Sequence, residues 1–149
     1  MGRVKVAELL LKYGVIQEES ERWCSFCGLE IETMDHLFLH CGLVNRLWIE
    51  CISWWGISWV IPPSVYSLPE WWVGTRCNKA TKVIWDLIPH ALIWLVWKWR
   101  NRSCFENHLP NWESAGDEVK STVVIWAKSH ASFNSTLIND IVFNLQVVI

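Results

Sequence analysis

Four side chains in the first third of the chain have the types and spacing of a metal site. Cys24, Cys27, His36 and Cys41 read C-x2-C-x8-H-x4-C. Thiolate sulfur and imidazole nitrogen are the donors Zn²⁺ takes in a tetrahedral structural site, and four soft protein donors favour that ion. Two cysteines separated by two residues can both turn their sulfurs inward. Gly28, directly after them, suits the strained turn in which backbone N–H groups face a thiolate. A catalytic zinc keeps one position open, whereas this set fills all four. A lone C-x-x-C is also a redox motif, and buried thiols are often plain core residues, but neither accounts for the His and third Cys downstream. His40 lies four residues after His36 on the same helical face and next to Cys41, so His36 is the preferred ligand and His40 the alternative. Cys51, Cys77 and Cys104 are scattered and read as core or surface thiols.

The elements that must position these residues read as helices. Val6, Leu9, Leu10 and Tyr13 follow the i, i+3, i+4, i+7 pattern and Gly14 stops it, predicting a first helix over 4–13. Thr33 is placed to cap a short helix that carries His36 and delivers Cys41 at its end. Val44, Leu47, Trp48, Cys51 and Trp55 give a stripe over 43–54, and the stretch to Trp72, with three prolines, reads as a loop with aromatic anchors. A long helix follows over 79–102, which Pro89 should kink or divide. Val119, Val123, Trp126, Ala127 and His130 form another stripe, and a last helix is expected over 139–147. The expected fold is all-α: a small zinc knuckle embedded in a bundle of five to six helices, with room for short strands at 57–61 and 141–149. Two regions are expected to pack as one unit, 1–60 holding the knuckle and 61–149 holding most of the tryptophans.

Composition narrows the function classes. With 149 residues, 52% hydrophobic, 19% charged and 13 tryptophans, the chain should form one compact domain. The formal net charge of −2 gives no global basic field. The charge is uneven: residues 1–50 carry 5 basic and 8 acidic residues, while 76–102 carry 6 basic residues against Asp86 alone. In that segment Lys79, Lys82, Lys98, Arg100 and Arg102 are the candidate phosphate contacts. The apolar runs Cys51 to Pro69 and Val83 to Trp97 are broken by glycine, proline or charge, so no membrane span is expected. The N-terminus shows no secretory signal, and the expectation is an intracellular, reducing compartment.

The string WCSFCGLEIETMDHLFLHCGLVNRLW resembles the zinc-binding domain that follows the reverse transcriptase in plant LINE-type (non-LTR) retrotransposon polyproteins. The pattern is C-x-x-C-G, then E-T-x-x-H-L-F, then a Cys and a later Trp, here Cys24, Cys27, Gly28, Glu32, Thr33, His36, Leu37, Phe38, Cys41 and Trp48. VKVAELLLKYGVI resembles the short helix before the knuckle. ALIWLVWKWRNRSCFENH resembles a W-x-x-W-K-x-R-N-x-x-x-F-E segment of the same polyproteins. The resemblance implies one structural Zn²⁺ and a noncatalytic piece of such an element. No Asp-Asp pair of a polymerase is present, and Asp35, Asp86, Asp117 and Asp140 lie in unlike surroundings.

Two readings of function stay open. In the first, the knuckle and the basic segment bind single-stranded RNA or DNA, with Trp23, Phe26 and Phe38 stacking on bases. In the second, zinc only stabilises the fold, and an exposed patch of Trp54, Trp55, Trp59, Trp71 and Trp72 faces other parts of a parent polyprotein. Trp48, Trp94, Trp97 and Trp126 are expected in the core. An enzyme is not expected: His90 and His130 are isolated, and no nucleophile, phosphate-binding glycine loop, small-molecule site or open metal position is evident.

Overall fold

The structure is a computed structural model and describes residues 12–13, 23–72 and 79–129, with backbone only at 79 and 80. The expected helices over 4–13 and 139–147 and the strand region 141–149 lie essentially outside the described residues. What is described is mainly helical. A hairpin-like turn from Trp23 to Ile31, closed by a single antiparallel bridge between those two residues, leads into a π-helical turn, His36–His40. Helix α1 (Gly42–Ser53) follows, then a loop, a 3₁₀ turn (Val65–Ser67) and the one-turn α2 (Leu68–Trp71). The long α3 (Lys79–Glu106) packs against α4 (Ala115–Lys128). No strand forms among the described residues; 57–61 carries no regular secondary structure. No helix among them is long and apolar enough to cross a membrane.

Helix α1 starts and ends within a residue of the periodic stripe, because Val44, Leu47, Trp48, Cys51 and Ile52 share one buried face. The loop after it is shaped by polar contacts. Asp35 Oδ1 accepts the Val65 N–H at 2.7 Å, and Ser64 and Ser67 cap each other reciprocally before α2. Trp59 reaches back to donate from Nε1 to Asn45 Oδ1 at 3.2 Å.

Helix α3 differs from expectation: Pro89 lies inside it without dividing it. Proline has no N–H, so the carbonyl four residues earlier, that of Trp85, loses its helical donor. Trp72 supplies one, its Nε1 donating to Trp85 O at 3.1 Å, and Trp85 Nε1 donates in return to Trp72 O at 3.2 Å. The two indoles stack with centroids 4.3 Å apart. They belong to a cluster with Trp48, Trp55 and Trp59, all within ring-contact distance of a neighbour. The expected exposed patch is therefore mostly internal. Trp55 and Trp72 are buried, Trp54 and Trp59 half-buried, and only Trp71 stands out. Trp48 is in the core as expected, but Trp97 and Trp126 are half-buried and Trp94 is exposed. One continuous core runs from Leu37 and Trp48 through Leu92 and Val96 to Val119 and Val123.

Candidate metal centre

The knuckle is assembled by backbone chemistry that the residue types demand. The Cys24 carbonyl accepts the Gly28 N–H at 2.8 Å, and Gly28 takes φ +63°, a left-handed conformation that costs glycine least. The next amide, that of Leu29, donates to Cys27 Sγ at 3.5 Å, and the Cys24 N–H returns to Glu30 O at 2.8 Å. Thr33 caps the following turn, its Oγ1 accepting the His36 N–H at 3.0 Å. The turn closes i to i+5, with Cys41 N–H donating to His36 O at 2.6 Å. This wide turn brings residues five apart to nearly one side, so His36 and Cys41 face the same point.

The donor atoms of Cys24, Cys27, His36 and Cys41 lie within 4.8 Å of one another. Cys24 Sγ and Cys41 Sγ are 3.9 Å apart, and Cys27 Sγ and His36 Nε2 are 3.4 Å apart. A tetrahedron with metal–sulfur arms of ~2.3 Å has edges of ~3.8 Å, so these spacings fit one Zn²⁺-sized ion. In the chain alone, the Cys24 thiol is pushed above its ordinary range, first by donating to Cys41 and then by burial. Cys41 is lowered by accepting that bond. His36 is buried, and its Nδ1 lies 3.2 Å from Glu30 Oε2, out of line for a hydrogen bond but within carboxylate reach. His40 points away: it is exposed, and its Nε2 sits 3.2 Å from the Pro62 carbonyl. The structure thus brings His36, not His40, to the three sulfurs. Cys51 is buried in α1 with its thiol pushed up by burial, and Cys104 is exposed on α3. All five described cysteines are free.

The basic residues fare differently. Arg100, expected to contact phosphate, is buried at 5% exposure because its guanidinium is taken up by Glu32: Nε and Nη2 each lie 2.9 Å from Glu32 Oε1. Lys82 pairs with Asp86 at 2.9 Å, Lys98 with Glu118 at 3.6 Å and Arg102 with Glu106 at 3.4 Å. The Lys79 side chain lies outside the described residues. Of the aromatics expected to stack on bases, Phe26 and Phe38 are buried and only Trp23 is exposed. Phe26 instead meets Trp112 edge-on at 5.1 Å, and Trp112 meets Trp99 on α3.

Sequence reasoning missed the Glu32–Arg100 pair. Its legible sign is that Arg100 falls four residues after Val96 and eight after Leu92, on the apolar face of α3. A family model described as zinc-binding in reverse transcriptase matches residues 1–48, which contain all four clustered donors. No curated protein and no solved structure matches the chain.

Proposed function

We propose that the chain is a noncatalytic zinc-binding module of reverse-transcriptase polyprotein origin, of the plant LINE type that its motifs resemble. One Zn²⁺, held by Cys24, Cys27, His36 and Cys41, fastens the knuckle to the helical body. The observation that carries this reading is the convergence of three sulfurs and one imidazole nitrogen within 4.8 Å. Four protein donors leave no position for water or substrate, so the ion supplies cross-linking rather than Lewis-acid chemistry. The thiolate ligands suit an intracellular, reducing compartment. The protein purified without metal stripping should carry one zinc per chain by elemental analysis. Chelation should loosen residues 23–48 while the tryptophan-packed part of α3 keeps its far-UV signal. A preparation free of zinc that shows the same hydrogen-exchange protection at 23–48 would refute the reading.

Binding of single-stranded RNA or DNA is the second reading. Its support is the exposed Trp23 indole beside the knuckle, together with Lys82, Lys98 and Arg102, whose surface ion pairs are weak enough for a phosphate to replace. The structural reading is favoured, since every described member of the basic segment faces a carboxylate.

A further inference from the structure

We infer that Glu32 is a positioning residue for the metal site and that Arg100, 68 residues further on, sets the metal affinity through it. The inference rests on the zinc reading above and adds a residue that is not a ligand. Glu32 is 1% exposed, and its two carboxylate oxygens point in different directions. Oε2 accepts the Ser25 N–H at 3.2 Å, inside the turn that joins Cys24 to Cys27. Oε1 receives Arg100 from α3. The same turn is gripped a second time from α3, where Ser103 Oγ donates to the Ser25 carbonyl at 3.3 Å. Ser25 is thus held at both its N–H and its C=O, and each hold leads to the last two turns of α3.

The physical consequence follows from where the charge sits. A carboxylate taken out of water is tolerable only when its oxygens are occupied, and removing one partner leaves a buried charge uncompensated. Without Arg100, Glu32 loses the cation held at Oε1, its buried carboxylate shifts, and the hold of Oε2 on the Ser25 amide loosens. The backbone between the two cysteine ligands then gains freedom that metal binding must remove. Groups beyond the ligands that orient them are worth about 10- to 100-fold in metal affinity. Linkage requires the reverse effect: metal binding must steady the C-terminal end of α3.

The test is competition titration of Zn²⁺, and of Co²⁺ as a spectroscopic probe, against a chromophoric chelator. Arg100→Gln, Glu32→Gln and Glu32→Ala are compared with two controls. Arg102→Gln removes an exposed pair on the same helix. Val123→Ala opens a buried core position on α4, outside the segment 24–41 that carries the four donors. Arg100→Gln and Glu32→Gln should weaken binding about 10- to 100-fold. Glu32→Ala should weaken it more, because Gln keeps an acceptor for the Ser25 amide. In the Co²⁺ protein the visible d–d bands should shift for the Glu32 and Arg100 variants and stay in place for both controls. Should a Glu32 variant fail to fold, hydrogen exchange on the wild-type protein decides. Chelation should raise exchange at 96–103 and leave 84–92 protected.

Affinities within threefold of wild type in folded Arg100→Gln and Glu32→Gln proteins would overturn the inference while leaving the zinc reading standing. An equal loss in Val123→Ala would overturn it too, since general loosening would then suffice. A wild-type protein that binds neither ion would take down both.

Discussion

Trp72→Phe, made alone and together with Pro89→Ala, tests how α3 carries a proline through its middle. The Trp85 carbonyl has no helical donor because residue 89 has no N–H, and Trp72 Nε1 reaches it at 3.1 Å. Phenylalanine keeps an aromatic ring near Trp85 but deletes the donor. A buried carbonyl left without its partner costs about 1 to 3 kcal/mol, and the smaller ring gives up about 1 kcal/mol more of apolar burial. The single variant should therefore lose about 2 to 4 kcal/mol, a fall in Tm of roughly 5 to 15 °C for a chain of this size. In the Pro89→Ala background the new backbone N–H can fill the same carbonyl. There the cost of Trp72→Phe should shrink by about 1 to 3 kcal/mol, because only the ring loss remains. Urea unfolding of the four proteins with excess zinc, followed by far-UV circular dichroism, measures the coupling. Additivity within ~0.5 kcal/mol would refute the argument that the indole replaces the missing amide.

The other predictions concern the knuckle and the basic segment. His36→Ala should remove most of the zinc affinity, whereas His40→Ala, which gives up only its approach to the Pro62 carbonyl, should hold it within about tenfold; equal losses would point to another ligand set. Cys24 is held above the ordinary thiol range and so is protonated at neutral pH, which means that zinc must displace that proton and bind more tightly as pH rises. Calorimetry in two buffers of different ionisation heat should show at least one proton released per zinc, and none released would contradict this. Titration with single-stranded RNA and DNA at micromolar protein should show no salt-sensitive binding; if it does, and Lys98→Glu and Arg102→Glu each flatten the slope by ~0.7 per phosphate released, the nucleic-acid reading gains over the structural one.

Much of the metal centre is legible in the sequence because its determinants are local. The C-x2-C turn, the left-handed Gly28 and the Thr33 cap each depend on residues within a few positions of one another, and all three occur as the residue types suggest. The sequence prefers His36 but keeps His40 as an alternative, because on an ordinary α-helix both share a face. Tertiary contacts tell them apart: His36 Nε2 lies beside Cys27 Sγ, whereas His40 Nε2 meets the Pro62 carbonyl, 22 residues further on and invisible in the local pattern. The division that Pro89 could have imposed on this helix is absent for the same kind of reason. Its remedy, the Trp72 indole, arrives from another segment and cannot be seen in the local pattern. Surplus tryptophan suggests an exposed patch. Reciprocal N–H to carbonyl bonds instead let Trp72 and Trp85 satisfy their polar atoms against each other's backbone, which removes the usual reason for such side chains to reach water.

The charge pattern shows where reading along a chain departs from physics in space. Six basic residues against Asp86 in 76–102 suggest a positive surface. The described members are met by carboxylates from three places. Glu32 comes from the knuckle, Glu118 from α4, and Asp86 and Glu106 from α3 itself. Some of the acidic excess of the first fifty residues thus answers some of the basic excess of α3 inside the molecule. The member that matters most, Arg100, is the one turned inward. An arginine on an apolar helix face is stable only if a carboxylate comes to meet it. The knuckle provides that carboxylate, so one of the charges on α3 is met inside the molecule, beside the turn that carries Cys24 and Cys27.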